Sequence, residues 1–200
     1  KEVLISSGSI ERPLVFGNND TPGVMLSSAA KEYLKVYGVL VGKKPLIFTN
    51  NDSGYETAIE FKKNGVDPII LDTRKDPKSE IINEAKKLDI QIKFSYVVVA
   101  AKGYKKVKSA EVAKISDDKN ELGTLETINC DCICVSGFWT PTIHLASQSG
   151  NKTTFNKDID AFVPGLSKQN ETTLGAANGT FTLEETLKNS FDSGYELSKK

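Results

Sequence analysis

Residues 45–72 read Pro45-Leu-Ile-Phe48-Thr49-Asn50-Asn51-Asp52-Ser53-Gly54-Tyr55, then Glu56 to Lys63, Asn64-Gly65, and Pro68-Ile-Ile-Leu71-Asp72, and this stretch decides the fold. Leu46–Phe48 is a short apolar strand and Thr49–Gly54 a polar loop. Tyr55–Lys63 is a helix stopped by Asn64-Gly65, and Pro68–Leu71 is a second strand. Strand, helix and strand in that order form a βαβ unit, which implies a parallel sheet. A dinucleotide fingerprint of this type places glycines at three points of the loop: one for the turn, one for approach of the pyrophosphate, one for helix packing. The corresponding residues are Thr49, Asn51 and Gly54, so only the packing glycine is present. Asn51 puts a side chain where a diphosphate would lie. Asp52 suits the positive end of the helix but competes with phosphate there. Asp72 stands about 20 residues on, where an acid holds ribose hydroxyls in such folds. The reading favoured by these residues is a Rossmann scaffold kept for packing, not a dinucleotide site.

Downstream, Lys78–Leu88 is an amphipathic helix through Ile81, Ile82, Ala85 and Leu88. Ile90–Phe94, Tyr96–Ala101 and Lys105–Ile115 read as antiparallel strands. Asp117-Asp-Lys-Asn120 is a turn, and Glu126–Val135 runs into a strand ending at Ser136-Gly137. Upstream, Val3–Ser6 is a strand entering Ser7-Gly8, and Glu11–Phe16 is extended. Pro22-Gly23 is a turn, and Val24–Tyr37 reads as a helix with Gly38 at its end. In the tail, a short helix over Ile143–Ser147 and a strand around Thr153–Phe155 precede a strand or loop over residues 160–174. The turn Gly175–Gly179 then leads to a helix starting near Leu183, where Thr182 and Glu185 have capping-box spacing. The fold class expected is therefore α/β.

Composition narrows the function. The 200 residues carry 26 basic and 26 acidic side chains, with 38% hydrophobic residues and an isoelectric point near 6.8. That balance argues against a nucleic-acid binder and a polybasic membrane anchor, which need a local excess of Lys and Arg. Only Arg12 and Arg74 are arginine, so bidentate clamps are scarce. The longest apolar run, Tyr96–Ala101, is far short of the roughly 20 residues that span a bilayer. With no signal-peptide core at its start, the chain is expected in the cytoplasm, where the sequons at Asn151, Asn170 and Asn178 carry little meaning. The chain opens at Lys1 and its one methionine is Met25, which is the expectation for a piece of a longer polypeptide.

Catalytic constellations are missing from the pattern. His144 is the single histidine, and Ser136-Gly137 lacks a nucleophile-elbow context. Cys130, Cys132 and Cys134 alternate, which on one strand places them on a common face about 7 Å apart from one to the next. That spacing suits a buried strand and neither a disulfide nor a zinc site. No catalytic and no metal-ligating residue is therefore expected. Two turns remain, Ser6-Ser7-Gly8 and Gly175-Ala-Ala-Asn-Gly179. Both present backbone N–H groups with little side chain, which admits a cofactor phosphate or tight packing.

Read together, Ser6-Ser-Gly8, Glu11-Arg-Pro-Leu-Val-Phe16, Asn19-Asp20-x-Pro-Gly-Val-Met25, Val135-Ser-Gly-x-Trp139-x-Pro141, Phe162-Val-Pro-Gly165 and Gly175-Ala-Ala-x-Gly179 form a pattern over nearly the whole chain. It resembles the pyridine-nucleotide-disulfide-reductase-like region of the alpha subunits of heterotetrameric sarcosine oxidases. Related amine and proline dehydrogenase subunits share parts of it. The resemblance implies a Rossmann-like, three-layer NADH-type domain at residues 43–125. That domain would be inserted into a partial FAD/NAD(P)-binding domain made of residues 1–42 and 126–200, with the glycine fingerprint of the outer domain upstream of Lys1.

It also implies bound NAD in the full-length subunit, flavins in the whole complex, and the beta subunit as chief partner. Sarcosine would be demethylated to glycine, with tetrahydrofolate as carbon acceptor and release of hydrogen peroxide, and this piece alone would be inactive. Relatives with flavin carry an acid where this chain has Ala176, so backbone contact to a dinucleotide is the expectation. Gly8, Gly175, Ala176, Phe181 and Leu183 would line it, and Thr182 would cap the helix beneath. The alternatives are a subunit of an amine or proline dehydrogenase, or a ligand-free docking module.

Overall fold

The computed structural model describes residues 2–118 and 121–199. In chain order the strands of the first half are β1 (Val3–Ile5), β2 (Ser9–Glu11), β3 (Val24–Leu26), β4 (Pro45–Thr49), β5 (Ile69–Asp72), β6 (Gln91–Phe94) and β7 (Tyr96–Lys102). Those of the second half are β8 (Ser109–Lys114), β9 (Glu126–Asn129), β10 (Cys132–Ser136), β11 (Trp139–Pro141), β12 (Thr153–Asn156), β13 (Ala161–Pro164) and β14 (Glu171–Thr173). The helices are α1 (Ser27–Tyr37), α2 (Ser53–Lys63), α3 (Glu80–Lys87), α4 (His144–Gln148) and α5 (Leu183–Ser198). The chain divides into two compact units, one of residues 1–10 with 139–200 and one of residues 11–138.

The 11–138 unit is built on a five-stranded parallel sheet in the order β3-β10-β4-β5-β6. Every residue of β4 is buried, because both faces of the sheet are covered. Alternation along the strand sends Ile47 to one side and Leu46 and Phe48 to the other. On the Ile47 side, Ala30 and Leu34 of α1, Tyr55, Ala58 and Phe61 of α2, and Ile82 and Ala85 of α3 form one core. On the Leu46 side, Val98, Ala101, Ala110 and Val112 of the antiparallel β7-β8-β9 sheet form the second, joined by Phe16.

The 1–10/139–200 unit holds the parallel pair β1-β14, the pair β2-β11 and the antiparallel hairpin β12-β13. Phe155 and Phe162 meet edge to face across that hairpin at 5.2 Å. Helix α5 has no buried residue.

Several local expectations change. Val24–Leu26 is a strand before α1, not its first turn, because it pairs in parallel with Ile133–Val135. Gln91–Phe94 is the parallel edge strand against β5, not an antiparallel one. Lys105–Lys108 lies outside any strand, and β8 begins at Ser109. The run Glu126–Val135 breaks at Cys130-Asp131 into two strands of different sheets. Asp131 makes that break, accepting the backbone N–H groups of Lys43 and Lys44 at 2.8 Å each. Cys130 consequently enters the second core, while Cys132 and Cys134 share a face in the first, so the three do not lie on one face. Of the turn at 117–120, Lys119 and Asn120 lie outside the described residues.

In chain order the two compact units divide at 10/11 and 138/139. Because β10 pairs with both β3 and β4, residues 11–42 and 126–138 are part of the same sheet unit as residues 43–125.

Candidate functional site: two turn clusters at strand ends

In the 1–10/139–200 unit, β1 and β14 run in parallel with Ile5 beside Thr173, and Leu174 N donates to Ile5 O at 2.8 Å. The two turns singled out in the sequence therefore leave from neighbouring strand ends. Gly8 has φ +74°, and a Cβ built on it meets no atom within 4 Å, so its backbone faces open space. The Ser6–Gly8 turn is pinned by Ser7 Oγ donating to Thr142 O (2.7 Å) and by Thr142 N donating to Gly8 O (3.0 Å).

Gly175 has φ +63°, a conformation that L side chains avoid, and it opens a 3₁₀ turn over Gly175–Asn178. Thr180 N donates to Gly175 O at 3.2 Å, folding the segment that leads to Phe181 back over the turn. Ala176 and Phe181 are half-buried, and Leu183, at the start of α5, is exposed. Thr182 precedes α5 as expected, but its hydroxyl donates to the Glu185 carboxylate (2.7 Å) and not to the backbone. Glu184 and Glu185 already complement the dipole of α5. Gly175 and Ala177 are buried and Ala176 is half-buried, so what this cluster can offer an anion is the backbone of a turn of small residues, which a dinucleotide phosphate fits.

The second cluster lies at the carboxyl ends of β4, β5 and β10 in the 11–138 unit. The chain steps outward from β4 through β5 to β6 and then returns to β10 on the other flank of β4, the reversal of strand order beside which open α/β sheets take ligands. Here the Asn51 side chain is buried. Its Nδ2 donates to Ser136 O (3.1 Å), to Ser136 Oγ (3.2 Å) and to Asn50 Oδ1 (2.9 Å), and its Oδ1 accepts from Ser53 N (2.8 Å). Thr49 Oγ1 donates to Asn51 O at 2.8 Å and accepts from Asn51 N at 3.1 Å. Gly54 is the close-packed point of the loop, where a Cβ would stand 2.7 Å from Thr49.

Asp72 is fully buried, and both of its oxygens are spent. Oδ1 accepts from Arg74 N (2.9 Å) and Nε (3.1 Å), and Oδ2 from Tyr55 OH (2.7 Å) and Arg74 Nη2 (2.8 Å). The same Arg74 nitrogen lies 2.8 Å from Asp52 Oδ1. Burial pulls the Arg74 guanidinium toward neutrality, but its contacts with Asp72 and Asp52 outweigh that and hold its pKa above the ordinary value. Burial, then donation to Asp72, raises the Tyr55 hydroxyl far above its ordinary value. A dinucleotide does not fit these residues as they stand. Sequence reasoning identified Thr49, Asn51, Asp52, Gly54 and Asp72 here but missed Arg74, Tyr55 and Ser136. A basic residue two places after a strand-end acid was the available signal for Arg74.

All three cysteines are free and buried. Burial pushes the Cys130 thiol up to about 12, and the Cys132 contact together with burial raises Cys134 well above the usual thiol range. Among the described residues, no group of three His, Cys, Asp or Glu side chains could hold a metal, and no helix is long and apolar enough to cross a membrane.

No protein-family model matches the chain. It is 38% identical over 187 residues to sarcosine oxidase subunit alpha of Rhizobium meliloti (strain 1021), covering 90% of this chain and 17% of that relative. To the same subunit of Corynebacterium sp. (strain P-1) it is 32% identical, covering 93% of this chain and 19% of the relative. The chain thus spans less than a fifth of the curated relatives it matches. Among solved structures, thioredoxin reductase of Lactococcus lactis superposes with a TM-score of 0.76 at 15% identity, over all of this chain and 65% of that one. Thioredoxin reductase of T. acidophilum gives 0.73 at 17% identity, over 93% and 60%. L-proline dehydrogenase of P. horikoshii gives 0.57 at 20% identity, over 88% and 30%. At these identities the structures establish the fold. The alternation of strand and helix, the parallel sheet, and the sequence identity along nine-tenths of the chain converge: this chain is homologous to one region of the sarcosine oxidase alpha subunits and has a pyridine-nucleotide-disulfide-oxidoreductase-like fold.

Proposed function

We propose that the chain is the dinucleotide-contacting and scaffolding region of a sarcosine oxidase alpha subunit. The observation that carries this reading is the adjacency of the Ser6–Gly8 and Gly175–Asn178 turns, fixed by the Leu174 N to Ile5 O bond, on a chain homologous to that subunit. Backbone N–H groups of Gly8, Gly175 and Ala176 would meet the phosphates of NAD, with Phe181 and Leu183 beside them. NAD supplies no group that any side chain of this region must activate. The region's work is to bind and orient.

In this proposal residues 11–138 are the inserted, NADH-type unit and residues 1–10 with 139–200 are part of the FAD/NAD(P)-binding domain around it. The exposed stripe Leu183, Leu187, Phe191 and Tyr195 on α5 recurs every fourth residue, one face of a helix. Relatives about five times as long support the rest of the same subunit as its cover. The assembled complex, with its beta subunit and flavins, would oxidise sarcosine with oxygen and water to glycine, a formaldehyde-level carbon and hydrogen peroxide, the carbon passing to tetrahydrofolate. Assay of the purified complex tests this. Peroxide formed from sarcosine, with free formaldehyde falling when tetrahydrofolate is added, is the expected result. Turnover of proline or another amine in place of sarcosine would overturn it.

A further inference from the structure

The 11–138 unit has the sheet order and the switch point of a dinucleotide-binding fold, yet the Ser53 amide and the Asp72 carboxylate, which a dinucleotide would use there, are already engaged by the chain itself. We infer that this crevice is a self-filled dinucleotide site, shut by the Asn51 carboxamide and by the Arg74 guanidinium. The inference rests on reading the unit as NADH-type, and not on where the other unit meets a cofactor.

Three relationships carry it. First, Asn51 Oδ1 accepts the N–H of Ser53 at the start of α2, a donor that in an open site faces phosphate, so the carboxamide stands in for the anion. Second, the other end of the same carboxamide reaches across the sheet to Ser136 O and Oγ, closing the gap between the ends of β4 and β10. Third, Asp72, the acid placed to hold a ribose, has both oxygens saturated by Arg74 and Tyr55, and Arg74 also pairs with Asp52. A dinucleotide entering here would have to displace Asn51 from three partners, bring phosphate against the Asp52 carboxylate, and compete with an internal cation for Asp72. Neither closure alone explains the whole. Removing Asn51 leaves the charge opposed to phosphate, and removing Arg74 leaves the stitch.

The test is a titration of the 200-residue chain with NADH, followed by amide chemical shifts. In the wild-type chain no saturable shifts are expected at residues 49–54 or 72–74. Asn51→Gly alone should show none either. The variant Asn51→Gly/Asp52→Ser/Arg74→Ala should show saturable shifts centred on those same residues. Saturable shifts there in the wild-type chain would overturn the inference, as would a folded triple variant whose crevice amides stay silent.

A second measurement decides the matter if the triple variant does not fold. The Ser53 amide should exchange with deuterium at least tenfold faster in Asn51→Ala, and unchanged exchange would show that the carboxamide does not close the crevice. Shifts at residues 6–8 or 175–181 report on the other turn cluster. Failure of that reading is therefore separable from failure of this one.

Discussion

The Asn51 carboxamide donates to the backbone oxygen of Ser136 at 3.1 Å, joining residues 85 positions apart at the carboxyl ends of two neighbouring parallel strands. The polar loop after β4 is thereby tied to the end of β10, and Thr49 and Asn51, standing where two fingerprint glycines would be, satisfy each other and the loop backbone.

Arg74 is the group that makes a fully buried Asp72 tolerable. Arg74→Leu should destabilise the chain by about 2–4 kcal/mol in urea unfolding, less than for a deeply buried cation because its side chain is 31% exposed. Asp72→Asn/Arg74→Leu should recover part of that loss, since no uncompensated charge is then left inside.

Glu11 carries a role that its sequence neighbourhood conceals. Its Oε2 accepts the N–H of Ser28 at 2.8 Å, so a side chain far upstream serves α1, whose own N-cap, Leu26, has no side-chain oxygen to offer. Glu11→Ala should cost about 1–2 kcal/mol and Glu11→Gln less, measured as a shift in the urea midpoint.

Much of this was legible in the sequence. Alternation through Leu46-Ile47-Phe48 and the Asn64-Gly65 stop define the βαβ unit. The strand-ending Ser-Gly and Gly-Ala-Ala motifs mark the turns that the β1-β14 pairing brings side by side. Partners distant in sequence were not legible. Val24–Leu26 has helical spacing but is claimed by β10. The break at Cys130-Asp131 depends on two amides from Lys43 and Lys44. Arg74 looks like an ordinary surface cation until Asp72 is seen to be buried. Each miss is a tertiary contact overriding a local pattern.

Phe138 has φ +84°, which a bulky L residue adopts only under constraint. Phe138→Gly should therefore be more stable than Phe138→Ala by about 1 kcal/mol, reversing the usual order of these two residues. Thermal melting of both variants checks it, and equal stability would mean that the backbone is relaxed there.

The thiols should be inert at neutral pH. Iodoacetamide at pH 8 should leave Cys130 and Cys134 unmodified in the folded chain and label them rapidly in urea, as mass spectrometry would show. Their folded-state pKa values are raised, so the folded chain holds protons that the unfolded chain has lost. The stability this contributes is complete below the ordinary thiol value near 9 and, for Cys130, falls as pH rises toward about 12. Urea midpoints measured from pH 8 to 10.5 should decline, and Cys130→Ala should flatten the decline.

A dinucleotide is expected to meet the Gly8 and Gly175 turns and not the crevice beside Asn51. Hydrogen exchange of the complete alpha subunit, with and without NAD, measures this most directly. Protection on adding NAD is predicted at residues 6–8 and 175–181, with residues 49–54 and 72–74 unchanged. Protection confined to residues 49–54 and 72–74 would contradict it.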